Sequence, residues 1–178
     1  MQKHSRAVRP LSSYAAYHRD KRNIASHFIG IPLIWLAIAI LLARPAWFVG
    51  GVTVSPLLPA AVLLCIYYFR LHRTLGWLML AVMLFTYQIA AYTAMQSTGV
   101  WLTSALAMFA AGWVIQFVGH YYEQKKPAFF DDIRGLIIGP VFMMAEACFM
   151  LGRMKDLQAA IEAQVGPAVI KTRPNKAV

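Results

Sequence analysis

Much of the chain's chemistry is concentrated in the run Gln116-Phe-Val-Gly-His120-Tyr-Tyr-Glu123-Gln-Lys-Lys-Pro127. It lies where a long apolar segment meets basic, polar sequence. If the helix of that segment continues past Val118, then Gln116, His120 and Glu123 fall three to four residues apart on one face. An amide, an imidazole and a carboxylate then share a stripe at the depth of lipid headgroups. Ionisable groups there are costly unless paired, wetted or bound to a metal, so the stripe is a functional candidate. Its plainer reading is a snorkelling cap on a transmembrane helix.

Composition says what must position these groups. Of 178 residues, 60% are hydrophobic and 13% charged, which reads as an all-α, polytopic transmembrane bundle in one domain, residues 1–178. The net charge of +10 would suggest nucleic acid in a soluble protein. Here the cations cluster at segment ends, where they orient helices and meet anionic lipid, so no nucleic-acid partner is expected. Cys65 and Cys148 sit alone in apolar runs, which argues against a disulfide framework or a zinc knuckle. The first apolar run begins near Ile24 and is too long for a signal-peptide core, so it reads as an uncleaved anchor.

In chain order, Met1 to Pro10 reads as a basic, frayed end. Leu11, Tyr14, Ala15 and His18 fit one face of a short interfacial helix over 11–18, with Ser12 as its cap and Tyr14 and Tyr17 at the membrane interface. Asn23 is placed to cap the first span, 24–43, which contains His27 and Pro32. Spans over 52–69, 75–95 and 100–122 follow, the second behind a Gly50-Gly51 turn. The apolar segment 133–152 carries Arg134, Pro140 and Glu146, so it reads as a fifth span or a broken, re-entrant helix. Over 153–178, Met154, Leu157, Ile161 and Val165 make the stripe of a helix lying on the membrane surface, followed by a disordered tail.

Lys and Arg bias sets the orientation. Lys3, Arg6, Arg9, Arg19, Lys21 and Arg22 precede the first span, Arg70 and Arg73 separate the second from the third, and Lys125, Lys126 and Arg134 follow the fourth. The positive-inside rule then puts the N-terminus in the cytoplasm with four full spans, and the basic tail favours the re-entrant reading of 133–152. His18, His27, His72 and His120 all fall on the cytoplasmic side. Three converging imidazoles, with or without Glu123, make a site for Fe(II), Zn(II) or Mn(II). His72 sits in a turn without a flanking carboxylate or amide, and His4 lies in the N-terminal end.

These residues resemble a known membrane family. His18, Asn23, His27, Gly30 and Pro32 match its start; Gln116 to His120, Glu123, Lys126-Pro127-Ala128, Asp131 and Pro140 to Glu146 match its second half. It is the family of the yeast endoplasmic-reticulum 2-hydroxy fatty acid dioxygenase, and the resemblance covers about Tyr14 to Gly152. It implies an Fe(II)-dependent α-oxidation that uses O2 to shorten a long-chain 2-hydroxy acid by one carbon. The family's essential histidines carry over onto His18, His27 and His120 as metal ligands, and His72 does not match the pattern. Asn23, Gln116 and Glu123 are then expected to act around the metal, Glu123 as a ligand or as a positioning group. With composition and charge bias, the chain is expected in the inner membrane of a bacterium or the endoplasmic reticulum of a eukaryote, with its site on the cytoplasmic side.

The competing class is a non-enzymatic lipid-binding or transport subunit, which the plain helical bundle would suit. Di-iron hydroxylases and desaturases use many more histidines, in HxxxH-type clusters; the five here form none.

Overall fold

The computed structural model describes residues 5–128 and 131–172. His4, Lys3, Arg173 and Lys176 lie outside the described residues. The fold is all-helical apart from one small hairpin, with α1 Ser5–Ala15, α2 Lys21–Ala43, β1 Trp47–Val49, β2 Val52–Val54, α3 Leu57–Leu71, α4 Arg73–Ala94, α5 Thr98–Glu123, α6 Gly135–Met150 and α7 Lys155–Val165. Among the described residues, three helices, α2, α4 and α5, are long and apolar enough to cross a membrane. At 1.5 Å per residue they run about 33–39 Å, against a hydrocarbon core of about 30 Å.

Several boundaries differ from the expectation. The first helix begins at Ser5 and ends at Ala15. Ser12 is therefore buried inside it and caps nothing, and His18 lies beyond its end, in the turn before α2. Asp20, not Asn23, caps α2, its side chain accepting from the Arg22 N–H. The expected span 52–69 is not one helix. Val52–Val54 pairs antiparallel with Trp47–Val49 across Gly50 and Gly51, both in the left-handed region at φ 58° and 84°, where glycine carries no Cβ penalty. Helix α3 starts after Pro56 and has 15 residues, about 22 Å and short for a bilayer. Pro59 is tolerated because it falls in the first turn, where no intrahelical N–H bond is lost.

The 133–152 segment forms α6, and α7 follows at a bend of 114°. Gly152 and Met154, at φ 68° and 56°, make that turn. By length and composition the bent pair is a broken span or a re-entrant loop. Leu157 and Ile161 of α7 are buried in the same core as Ala7 and Leu11 of α1, so the expected apolar stripe packs on α1.

Helix α2 is the central element. It packs along α5 and also meets α4 and α6. The α2–α5 approach is close because glycine lines it. A Cβ on Gly112 would stand 2.7 Å from Ile34 Cγ1 and 2.9 Å from the Gly30 carbonyl. One on Gly119 would overlap Ser26 Oγ and lie 2.5 Å from Asn23 Oδ1. Small residues at such a seam let two helix backbones meet in a bilayer, where apolar burial gives no preference for protein over lipid. Here the seam places the turn of α2 bearing His27 against the turn of α5 bearing His120.

Candidate metal centre

Three of the histidines converge. His18, in the turn after α1, His27 on α2 and His120 on α5 each offer a ring nitrogen, and these atoms all lie within 4.8 Å of one another. All three side chains are buried. His72 is elsewhere: it precedes α4, where its Nδ1 accepts from the Leu75 N–H at 3.4 Å.

Hydrogen bonding fixes two of the tautomers. His18 Nδ1 is 2.7 Å from the Tyr14 carbonyl oxygen, and His27 Nδ1 is 2.8 Å from that of Asn23. A carbonyl only accepts, so each Nδ1 carries the hydrogen, and each neutral ring presents a bare lone pair at Nε2. Those two Nε2 atoms face each other at 3.0 Å. Lone pair against lone pair is repulsive unless a proton or a metal lies between them. A proton would make one ring cationic, and burial, reinforced by His27, holds the His18 imidazole well below the usual histidine range. A divalent metal satisfies both nitrogens without that cost. The donor set therefore fits a metal, and His120 Nδ1, buried without a hydrogen-bond partner, leaves a third ring available to it. The backbone carbonyls behind His18 and His27 are the outer partners that fix ligand orientation in metal sites.

Tyr14 is part of this construction. Its ring lies on the His18 ring, centroids 4.1 Å apart and planes within 8°, and Phe142 closes over both. It is buried among these rings. The i, i+4 spacing from Tyr14 to His18 was the signal available.

Glu123 stands apart from the three rings. Its Oε2 accepts from the backbone N–H groups of Arg19 at 2.9 Å and Asp20 at 2.7 Å, and from Asn23 Nδ2 at 3.2 Å. Its Oε1 pairs with Lys171 Nζ at 2.5 Å. The carboxylate thus clamps the turn that carries His18. Asn23 Nδ2 also donates to the Tyr17 carbonyl at 3.1 Å. The segment after α7 closes the same turn from outside. Val169 exchanges backbone bonds with Arg19 and Lys21, and Lys171 N donates to Asp20 Oδ2 at 3.0 Å. Asp20 also takes a forked contact from Arg22, which is the main cause holding its carboxyl down at about 2.

The basic residues around the site are already engaged. Arg19 binds Glu146 at 3.3 Å and the Gly166 carbonyl at 3.0 Å. Arg22 binds Asp20, Lys125 the Ala16 carbonyl, and Lys126 Asp131.

One face of the histidine group opens into a crevice between α2, α5 and α6. His27, His120, Gln116 and Tyr14 line its polar end; Ile31, Ile34, Trp35, Ile38 and Trp113 line the rest. Gln116 Oε1 is buried without a partner. The polar groups sit at one end of an otherwise apolar slot, the arrangement of a site for an amphiphile.

Residues 5–151 match the family model described as "2-hydroxy-palmitic acid dioxygenase Mpo1-like". The chain is 30% identical over 154 residues to the 2-hydroxy-palmitic acid dioxygenase MPO1 of Saccharomyces cerevisiae, covering 85% of each chain. No solved structure matches.

Proposed function

The chain belongs to the Mpo1-like family, and from that premise we propose that it is an integral membrane, Fe(II)-dependent dioxygenase that shortens long-chain 2-hydroxy fatty acids by one carbon. The observation that carries the reading is the pair of bare Nε2 atoms of His18 and His27 held 3.0 Å apart beside His120. The reaction balances without a further cosubstrate. A 2-hydroxy acid and O2 give the acid one carbon shorter, CO2 and water; the substrate's carbons lose four electrons, which is what full reduction of O2 takes up.

His18, His27 and His120 hold the iron through neutral imidazoles. Bound there, the metal would supply Lewis acidity toward an oxygen-rich head group and the redox chemistry that O2 requires. Gln116 is the polar side chain that meets the substrate head, because its amide oxygen is buried without a partner and it lines the crevice with His27 and His120. Glu123 and Asn23 act through position: they keep the 17–20 turn in register so that His18 stays opposite His27. The apolar walls take the alkyl chain and keep water from the reacting carbons. Arg19, Arg22, Lys125 and Lys126, each committed to a partner, are not the carboxylate's anchor.

The chain forms one domain with four membrane crossings, α2, α3, α4 and α5, with α6 and α7 as a re-entrant pair and the histidines at the cytoplasmic end. Helix α3 is the shortest of the four, so the bilayer thins locally or the hairpin before it enters the interface. Turnover tests the reading. Purified protein supplied with Fe(II) and O2 alone converts a long-chain 2-hydroxy acid to the next shorter acid, one CO2 released per O2 consumed. An iron-loaded preparation that shortens none, or that needs added 2-oxo acid, overturns it.

A further inference from the structure

Three apolar cavities share one indole. The first is the crevice at the histidines, lined along α2 from His27 to Ile38. The second continues from Trp35 and Ile38 to Leu42, with residues of α3 and α4 as its far wall. The third lies between α2, α4 and α6. Trp35 lines all three. Its Nε1–H donates to Thr86 Oγ1 at 3.2 Å, and Thr86 is buried. The bond is part-buried and ties the ring to α4, which favours one orientation of the indole. The indole is thus a partition, anchored from α4, between the histidine crevice and the chamber beyond it.

Depth says what meets the partition. Trp35 is two helical turns beyond His27, about 12 Å, and Leu42 is about 22 Å beyond it. A hydrocarbon core of about 30 Å is two tails deep, so one tail of membrane-lipid length needs about 15 Å. A long chain with its head at the histidines therefore reaches Trp35 with its distal carbons, and a longer one must pass it.

We propose that the first two chambers form the binding subsite for the alkyl tail, and that Trp35, braced by Thr86, sets the chain length the protein accepts. The proposal rests on the 2-hydroxy acid reading above. Trp35 acts on the tail and touches none of the reacting atoms.

The test uses the full chain in micelles with Fe(II), a graded series of saturated 2-hydroxy acids, and the same acids brominated at chosen carbons to quench nearby indoles. In the wild type, affinity rises about fourfold for each added CH2 and levels off once the chain meets the partition. Bromine on the distal carbons quenches a signal that is missing in Trp35→Phe. In Trp35→Ala the plateau moves to longer chains. Thr86→Val, which keeps the volume and removes the acceptor, broadens the plateau while affinity for short acids is kept. Should Trp35→Ala not fold, Trp35→Phe and Thr86→Val still decide. One length profile in the wild type and every folded variant overturns the proposal, as does equal distal quenching by a phospholipid chain, which would make the chambers lipid-filled seams. Length-graded binding without shortening of any acid removes the enzyme reading instead and leaves the tail subsite standing.

Discussion

Histidine placement is a residue-scale matter, and the controlling groups are backbone carbonyls. His18 and His27 each give Nδ1–H to the carbonyl four residues earlier, which leaves Nε2 bare for a metal. In metal-free protein burial disfavours a charged His18 ring, whereas the unfolded chain takes up protons near pH 6.5. A folded-state value pushed down, as for His18, means the unfolded state binds more protons below that pH. Stability of the metal-free protein is therefore full above about pH 6.5 and falls as the pH drops, by up to about 1.4 kcal/mol per pH unit for the His18 ring. Thermal unfolding of metal-free protein between pH 7.5 and 5 checks this; a flat profile would show that the rings accept protons when folded. Bound iron removes the dependence until acid displaces it. Lys171 gives a second prediction at this scale. Lys171→Met leaves Glu123 without its cation and loosens the His18 turn, lowering iron affinity about tenfold or more while Lys171→Arg largely restores it. Unchanged affinity in Lys171→Met would make the contact ornamental. The three histidines were legible through the family resemblance, since their spacing in the chain left the metal reading open. Lys171 was not, since it meets Glu123 across 48 residues and lies beyond the residues 5–151 that match the family.

Helix α5 meets α2 at the element scale, and glycine sets the distance. A methyl at Gly119 would overlap Ser26 and press on Asn23, pushing apart the turns that hold His27 and His120. Gly119→Ala gains up to about 1 kcal/mol of helix propensity but forces overpacking of about 1–3 kcal/mol, so the net effect is destabilising, with weakened iron binding. Gly99→Ala, at a position with open space around it, is the control. Iron affinity lowered no more by Gly119→Ala than by Gly99→Ala would contradict this. The long elements α2, α4 and α5 were readable because about twenty apolar residues in a row admit few structures. The second span misled because Val52 and Val54 count as apolar in a window yet join a hairpin around Gly50 and Gly51. The reach of α1 back to Ser5 was hidden because Arg6 and Arg9 look like a basic tail, while Ala7 and Leu11 are fully buried. The partner that buries them, α7, lies some 150 residues away in the chain.

At the scale of the whole molecule, the histidines lie at one end of the long helices and the apolar chambers run from there along α2. With four crossings the Lys and Arg bias puts that end in the cytoplasm. Reporter fusions after Gly152 and after Thr172 then both read cytoplasmic, and an external signal at either would require another crossing through α6 and α7. On the proposed reading, the head group meets the histidines while the tail lies within the bundle, so activity is expected to follow the acid's concentration in the membrane.

Iron content is the most direct test of the central assignment. The wild type, purified without oxygen and dialysed, is expected to keep about one iron per chain. His18→Ala, His27→Ala and His120→Ala each lose it while remaining folded by circular dichroism, and His72→Ala keeps it. Full iron occupancy in any of the three single variants, or loss in His72→Ala alone, would contradict the account.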